Sequence, residues 1–192
     1  MPTHNCNCEC TYCYIPDNER NKKSDHSYLR SVVKDFMDNL EKYNYNQKPE
    51  IRFIGGEPYL DINFIIEISN LFLERFKKGK IIINTNGTLI SKEKLESINY
   101  KNRERFIHII SLDGIEEVHN ERRISKNGQN SFNQTVGGIN LLKSINMPVY
   151  INMVLDEFSI ARLNDFMVYL KSELRINELS VSLLYDLVNP IS

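Results

Sequence analysis

Cys6-Asn7-Cys8-Glu9-Cys10-Thr11-Tyr12-Cys13-Tyr14 holds all four cysteines of a 192-residue chain. Disulfides account poorly for that crowding. A bridge needs Cα atoms roughly 4.4–6.8 Å apart with converging Cβ vectors, which neighbours in so short a loop seldom achieve. A loop that aims several thiolates at one centre is a metal or cluster site. Cys6, Cys10 and Cys13 have the spacing C-x3-C-x2-C. Three thiolates on a cluster of four irons leave one iron open to another ligand. A zinc site that uses Cys8 as well wants the same convergent thiolates, so the loop alone leaves both chemistries open.

Outward from the loop, strand and helix patterns alternate to the end of the chain. Residues 1–5 leave room for only the stub of a first strand. Leu29, Val32, Val33, Phe36, Met37 and Leu40 recur at helical spacing and predict a first helix, with Ser24, Asp25 or Ser27 as its cap. Strands are expected at 50–54, 80–84, 106–111, 149–155 and 179–184. A second helix has Ile62, Ile65, Ile66, Phe72, Leu73 and Phe76 as its buried side, with Asp61 as cap; a third starts after Ser91. Ser131 and Ser159 are the expected caps of a fourth and a fifth. Residues 116–130 are polar, charged and without period, and read as a loop with a little helix. Six strands separated by five helices fit a mostly parallel α/β sheet, either open and doubly wound or a partial barrel.

In such folds ligands sit at the carboxyl edge of the strands. The cysteine loop, Gly55-Gly56-Glu57-Pro58, Thr85-Asn86-Gly87-Thr88 and Ser111-Leu112-Asp113-Gly114 each follow a strand, so four special loops are expected on one rim. Glu57 with a backbone carbonyl suits an ammonium group, and Ser111 with Asp113 suits sugar hydroxyls. Glycine, proline and Asn-Gly also serve plain turns. His4, His26, His108 and His119 have no ligand spacing and read as structural or surface residues.

Composition excludes several classes. With 24 basic and 25 acidic side chains there is no basic excess for nucleic acid, and no polybasic run for an anionic membrane. The apolar runs are strand-sized, too short to span a bilayer. Residues 1–5 lack the layout of a signal peptide. Thiols that must stay reduced point to a cytoplasmic setting.

In order along the chain, the three-cysteine loop, Gly-Gly-Glu-Pro and Ser-Leu-Asp-Gly resemble the radical S-adenosylmethionine superfamily. His119-Asn120-Glu121-Arg122-Arg123, then Ser131-Phe132, then Ile151-Asn152-Met153-Val154-Leu155 are similar to its branch of anaerobic sulfatase maturases and related peptide-modifying enzymes. The resemblance covers essentially the whole chain and implies a single (β/α)6 partial barrel over residues 1–192. The C-terminal extension that carries auxiliary clusters in that branch is expected to be absent.

The implied cofactors are a [4Fe–4S] cluster on Cys6, Cys10 and Cys13 and S-adenosylmethionine on the open iron. The implied S-adenosylmethionine contacts are the Tyr12 backbone, Gly55, Gly56 and Glu57 for the amino group, Ser111 for the ribose, Arg123 for the carboxylate and Leu184 near the adenine. The implied activity is reductive cleavage to a 5′-deoxyadenosyl radical that takes hydrogen from a peptide or protein side chain, with a flavodoxin or ferredoxin as electron donor. No catalytic base is implied. Cys8 departs from the branch, where an apolar residue is usual, and reads as an inert small hydrophobe. Arg122 reads as a solvated neighbour of Arg123. A binding protein that keeps the cluster site without turnover is the alternative.

Overall fold

The computed structural model describes residues 1–20, 22, 24–43 and 48–183. Its centre is a parallel sheet whose strands lie side by side in chain order: β2 (Glu50–Phe53), β3 (Lys80–Thr85), β4 (Phe106–Ser111), β6 (Val149–Leu155) and β7 (Leu179–Leu183). Neighbours in register include Ile83 with His108 and Ser111 with Asn152. Each crossover carries helix: α2 (Ile62–Arg75), α3 (Lys92–Glu96), α4 (Glu116–Arg122) with α5 (Ser131–Ser144), and α6 (Glu157–Ile160) with α7 (Leu163–Ser172). Before them comes α1 (His26–Lys42). The order and direction are those of a partial barrel, as the resemblance implies, and not of a doubly wound sheet, whose strand order reverses at a switch point.

The core lies between sheet and helices. Ile81, Ile83, Phe106, Ile110, Ile151 and Met153 face it with almost no exposure, against Ile65, Phe72, Ile139 and Phe166. Each such side chain contributes about 1.5–3 kcal/mol of burial. Alternation puts Asn84, Ile107, Ile109, Ser111, Tyr150 and Asn152 on the opposite face, where all are half-buried. That face is the open inside of the barrel.

Local signals place the helix starts, with corrections. Asp25 caps α1 and Ser91 caps α3. α5 is capped by Asn130, one residue before Ser131, and α6 by Asp156 in a capping box with Ser159. Asp61 stands at the start of α2 but makes no cap bond; it pairs with His26 at 2.9 Å. On α1 only Met37 and Leu40 are buried, whereas Val32 and Phe36 of the expected stripe are exposed.

Two regions differ more deeply. The expected first strand is not formed among the described residues. Thr3 and Asn5 instead give their carbonyls to the N–H groups of Gly56 and Glu57, at 3.0 and 2.8 Å. The strand that does form early is β1 (Cys8–Cys10), inside the cysteine loop, antiparallel to β5 (Arg123–Ser125). Residues 116–130 hold the expected little helix, α4, and a loop at 126–130, but also β5, with Val118, His119, Arg122, Arg123 and Ser125 buried. Polar side chains that satisfy one another hide the apolar period on which a sequence reading depends. Leu184, and with it the end of the expected last strand, lies outside the described residues.

Candidate functional site

The cysteine loop is tied to three rim segments by named bonds. On one side β1 pairs with β5, and Thr11 N–H donates to the Arg122 carbonyl at 2.9 Å. On another, Asn7 Nδ2 donates to Thr88 Oγ1 at 2.8 Å, and Asn86 Nδ2 donates to Asn7 Oδ1 at 2.9 Å. Below, the run from Thr3 to Asn5 lies on Gly55 and Gly56. A Cβ at Gly56 would stand 2.1 Å from the Asn5 carbonyl oxygen, and one at Gly55 2.4 Å from that of Thr3. Only glycine allows that approach.

All four cysteines are free thiols. Cys6, Cys10 and Cys13 are half-buried, whereas Cys8 is 4% exposed, its sulfur against Asn86 Nδ2 at 3.4 Å. Cys8 is thus packed as the sequence reading expects, with a polar partner added. Among the described residues no three His, Cys, Asp or Glu side chains close around one metal ion. Hydrogen bonding from Cys8 lowers the Cys6 thiol to about 6, and burial pushes Cys10 up to about 11 despite Arg123 nearby.

Beside the loop stands an ionic knot the sequence does not announce. Asp113, fully buried, accepts from Arg123 Nε at 2.7 Å, from Val154 N–H at 2.9 Å and from the Tyr12 hydroxyl. Its carboxyl lies below the ordinary carboxylate range: burial pulls it upward, but Arg123, Tyr12 and Val154 outweigh that. Burial likewise works against the Arg123 charge, and Asp113, Tyr12 and Cys10 more than restore it. Arg123 Nη1 points toward Cys10 Sγ at 3.8 Å. Arg122 is also buried. It donates to the Val154 carbonyl and to Asp156, each at 2.7 Å, and its guanidinium lies 4.6 Å from the Tyr12 ring centre. The reading of Arg122 as solvated is overturned. Asp113, suggested for sugar hydroxyls, is committed to this knot.

Glu57 is corrected too. Its side chain is fully buried and accepts from Thr85 Oγ1 at 2.6 Å, Asn86 N–H at 2.8 Å and Tyr59 N–H at 2.9 Å. Burial raises it to about 7 against those donors. The carboxylate fastens the Gly-Gly-Glu-Pro turn to the turn after β3, and the rim is left with the backbone of Gly55 and Gly56. Ser111 ends β4 on the open face beside Asn152. His108 and His119 are buried and held neutral, each lowered to about 3 by desolvation first. His108 Nε2 meets the Tyr59 hydroxyl at 2.7 Å, in keeping with a structural role. The sequence reading missed Asn86, taken as a common turn residue, and Asp113 as a hub. Neither has a spacing signal: Asn86 reaches Asn7 across 79 residues, and Asp113 reaches Tyr12 across 101.

The Radical SAM superfamily model matches residues 1–168. An uncharacterised protein of Methanocaldococcus jannaschii is 34% identical over 171 residues, 88% of this chain and 56% of its own. A cysteine-type anaerobic sulfatase-maturating enzyme of Clostridium novyi is 32% identical over 148 residues, 72% of this chain and 37% of its own. The solved structure of native anSMEcpe with bound AdoMet and a peptide superposes with a TM-score of 0.82 at 25% identity, covering 96% of this chain and 50% of that one. The chain thus spans between 37% and 56% of the length of these relatives. A family model matched over most of the chain, on a barrel shared with a relative that binds AdoMet, makes this protein a member of the radical S-adenosylmethionine superfamily, whose cofactors are S-adenosylmethionine and a [4Fe–4S] cluster.

Proposed function

We propose that the protein is a radical S-adenosylmethionine enzyme that removes hydrogen from a peptide or protein side chain. The observation that carries this is the grouping of three free, half-buried thiols with the Gly55-Gly56 backbone and Arg123 at one edge of the barrel. The donor set fits the cluster: three half-buried thiols from one loop, none spent in a disulfide, with the fourth cysteine buried beside Asn86. Cys6, Cys10 and Cys13 would hold it. When bound, the cluster and S-adenosylmethionine supply the 5′-deoxyadenosyl radical.

The chain's own residues bind and orient. Gly55 and Gly56 offer backbone carbonyls to the amino group, with Glu57 anchoring them from below. Arg123, its Nε spent on Asp113, keeps Nη1 on the cysteine side for the carboxylate. Ser111 offers a hydroxyl to the ribose, and the Tyr12 backbone borders the adenine. Leu184 keeps its proposed adenine contact from the family match alone. The inside of the barrel, with Ile107, Ile109 and Tyr150 on the same face as Ser111, is the floor on which a side chain would meet the radical. The peptide substrate follows from relatives that mature sulfatases and make the bacteriocin subtilosin. A flavodoxin or ferredoxin is the proposed electron donor.

The deciding experiment is anaerobic reconstitution with iron and sulfide, reduction by dithionite, and chromatography for 5′-deoxyadenosine. Four irons per chain and slow release of 5′-deoxyadenosine are expected. Tight S-adenosylmethionine binding without cleavage in fully reduced protein would leave a binding protein in place of an enzyme.

A further inference from the structure

Asn86 follows β3 and is 7% exposed. Its side-chain orientation is fixed by chemistry. The Thr88 N–H can only donate, and it meets one end of the amide at 3.0 Å, with Thr88 Oγ1 at 2.7 Å from the same atom. That end is Oδ1, so the NH2 group faces the cysteine loop. There it lies 2.9 Å from Asn7 Oδ1, 3.4 Å from Cys8 Sγ and 3.8 Å from Cys6 Sγ. The Cys8 N–H also points at Cys6 Sγ, at 3.4 Å. The backbone is pinned as well: its N–H is bound by Glu57 and its carbonyl takes the Thr135 hydroxyl at 2.8 Å. The donor therefore cannot swing away when the sulfur changes charge.

We propose that Asn86 is a positioning residue for the iron–sulfur centre: one N–H of its fixed amide is held by Asn7, the other is shared between the sulfurs of Cys8 and Cys6, and that donation raises the reduction potential of the cluster. A donor aimed at a ligand sulfur stabilises the reduced cluster, which carries one more electron, over the oxidised one. Removing it lowers the potential. The same side chain gives the buried Cys8 sulfur a polar partner, so Asn86 uses its amide for more than a turn. The inference rests on Cys6, Cys10 and Cys13 holding the cluster.

Asn86→Asp keeps the shape and the Thr88 contacts but removes the donor; Asn86→Leu removes both polar ends. Reconstitute each variant and the parent, count iron and sulfide, then titrate the cluster potentiometrically by electron paramagnetic resonance without S-adenosylmethionine. Four irons are expected throughout. Both variants should show a lower midpoint, with the reduced-to-oxidised ratio at a fixed potential down about tenfold, which is 59 mV for one electron. Midpoints equal to the parent in whichever variant keeps its iron would overturn the inference. Loss of iron from both would overturn it too, by showing that Asn86 only folds the loop. A parent that takes up no cluster defeats the underlying reading of the cysteines, and the iron count separates that failure from this one.

Discussion

Asp113 and Arg123, ten residues apart, meet through a 2.7 Å bond between Oδ2 and Nε, with Asp113 wholly buried and Arg123 8% exposed. The pair fixes an arginine whose Nη1 points at the cysteine loop, and it does so without solvent. Removing one member leaves the other's buried charge without its main counter-charge. Asp113→Asn should therefore cost about 3–5 kcal/mol of stability. Urea denaturation of the purified chain measures it, and an unchanged midpoint would show that the knot carries no such weight.

Arg123→Ala is expected to lose on two counts. Stability should fall, because the buried Asp113 carboxylate keeps only Tyr12, the Val154 N–H and Arg122 at 3.8 Å. In protein that still holds its cluster, S-adenosylmethionine binding should weaken by roughly one to two decades, from the loss of a charge-assisted bond worth about 1.5–3 kcal/mol. Arg123→Lys restores the charge but not the fork, so it should recover more stability than affinity. Anaerobic titration beside a thermal melt separates the two. Arg122→Ala is no silent control: without its bonds to Asp156 and the Val154 carbonyl it should melt several degrees lower.

The thiols divide three to one. Cys6→Ala, Cys10→Ala and Cys13→Ala should each abolish the cluster absorbance and leave iron far below four per chain, since a three-legged centre has no spare leg. Cys8→Ala should keep the iron. Retention of a full cluster by any of the first three, or its loss from the last, would reassign the ligands.

Stability should rise with pH between about 4.5 and 6.5. His108 and His119 are lowered to about 3 in the fold, so as pH drops below the ordinary histidine value of about 6.5 the unfolded chain takes up two protons that the folded chain refuses. Glu57, raised to about 7, works the other way: the fold holds its proton from about 4.5 upward and loses that advantage as pH climbs through 7. The net of these three groups is one proton, or about 1.4 kcal/mol per pH unit. His108→Gln should flatten the slope of the urea midpoint against pH. A slope that stays as steep would mean that His108 does not carry it.

Legibility in the sequence followed the kind of interaction. The parallel strands after the cysteine loop announce themselves, because burial on one face writes Ile81, Ile83, Phe106 and Ile110 in a period the eye can follow. The cysteine loop and Gly55-Gly56 stand out because metal ligation and close backbone approach each demand one residue type. β1, β5 and the knot around Asp113 do not. Their partners are polar, buried in pairs and scattered along the chain, and a buried polar pair has no period. Glu57 looked like a ligand for the same reason: a carboxylate in a glycine turn reads alike whether it faces a pocket or the core.

The pairing of β1 with β5 has a consequence for the life of the chain. Cys8 sits opposite Ser125, a separation of 125 − 8 = 117 residues. A loop of that length closes late, because its entropic cost must be met before the contact returns anything. On a ribosome delivering about 5–20 residues per second, the cysteine segment emerges many seconds before its partner strand exists. In that interval the four thiols share one flexible tether, free to oxidise or to catch a stray metal ion. Correct loading of this protein should therefore favour iron delivery after release of the chain, and an anaerobic cell should yield more holoprotein per chain than an aerated one at equal expression.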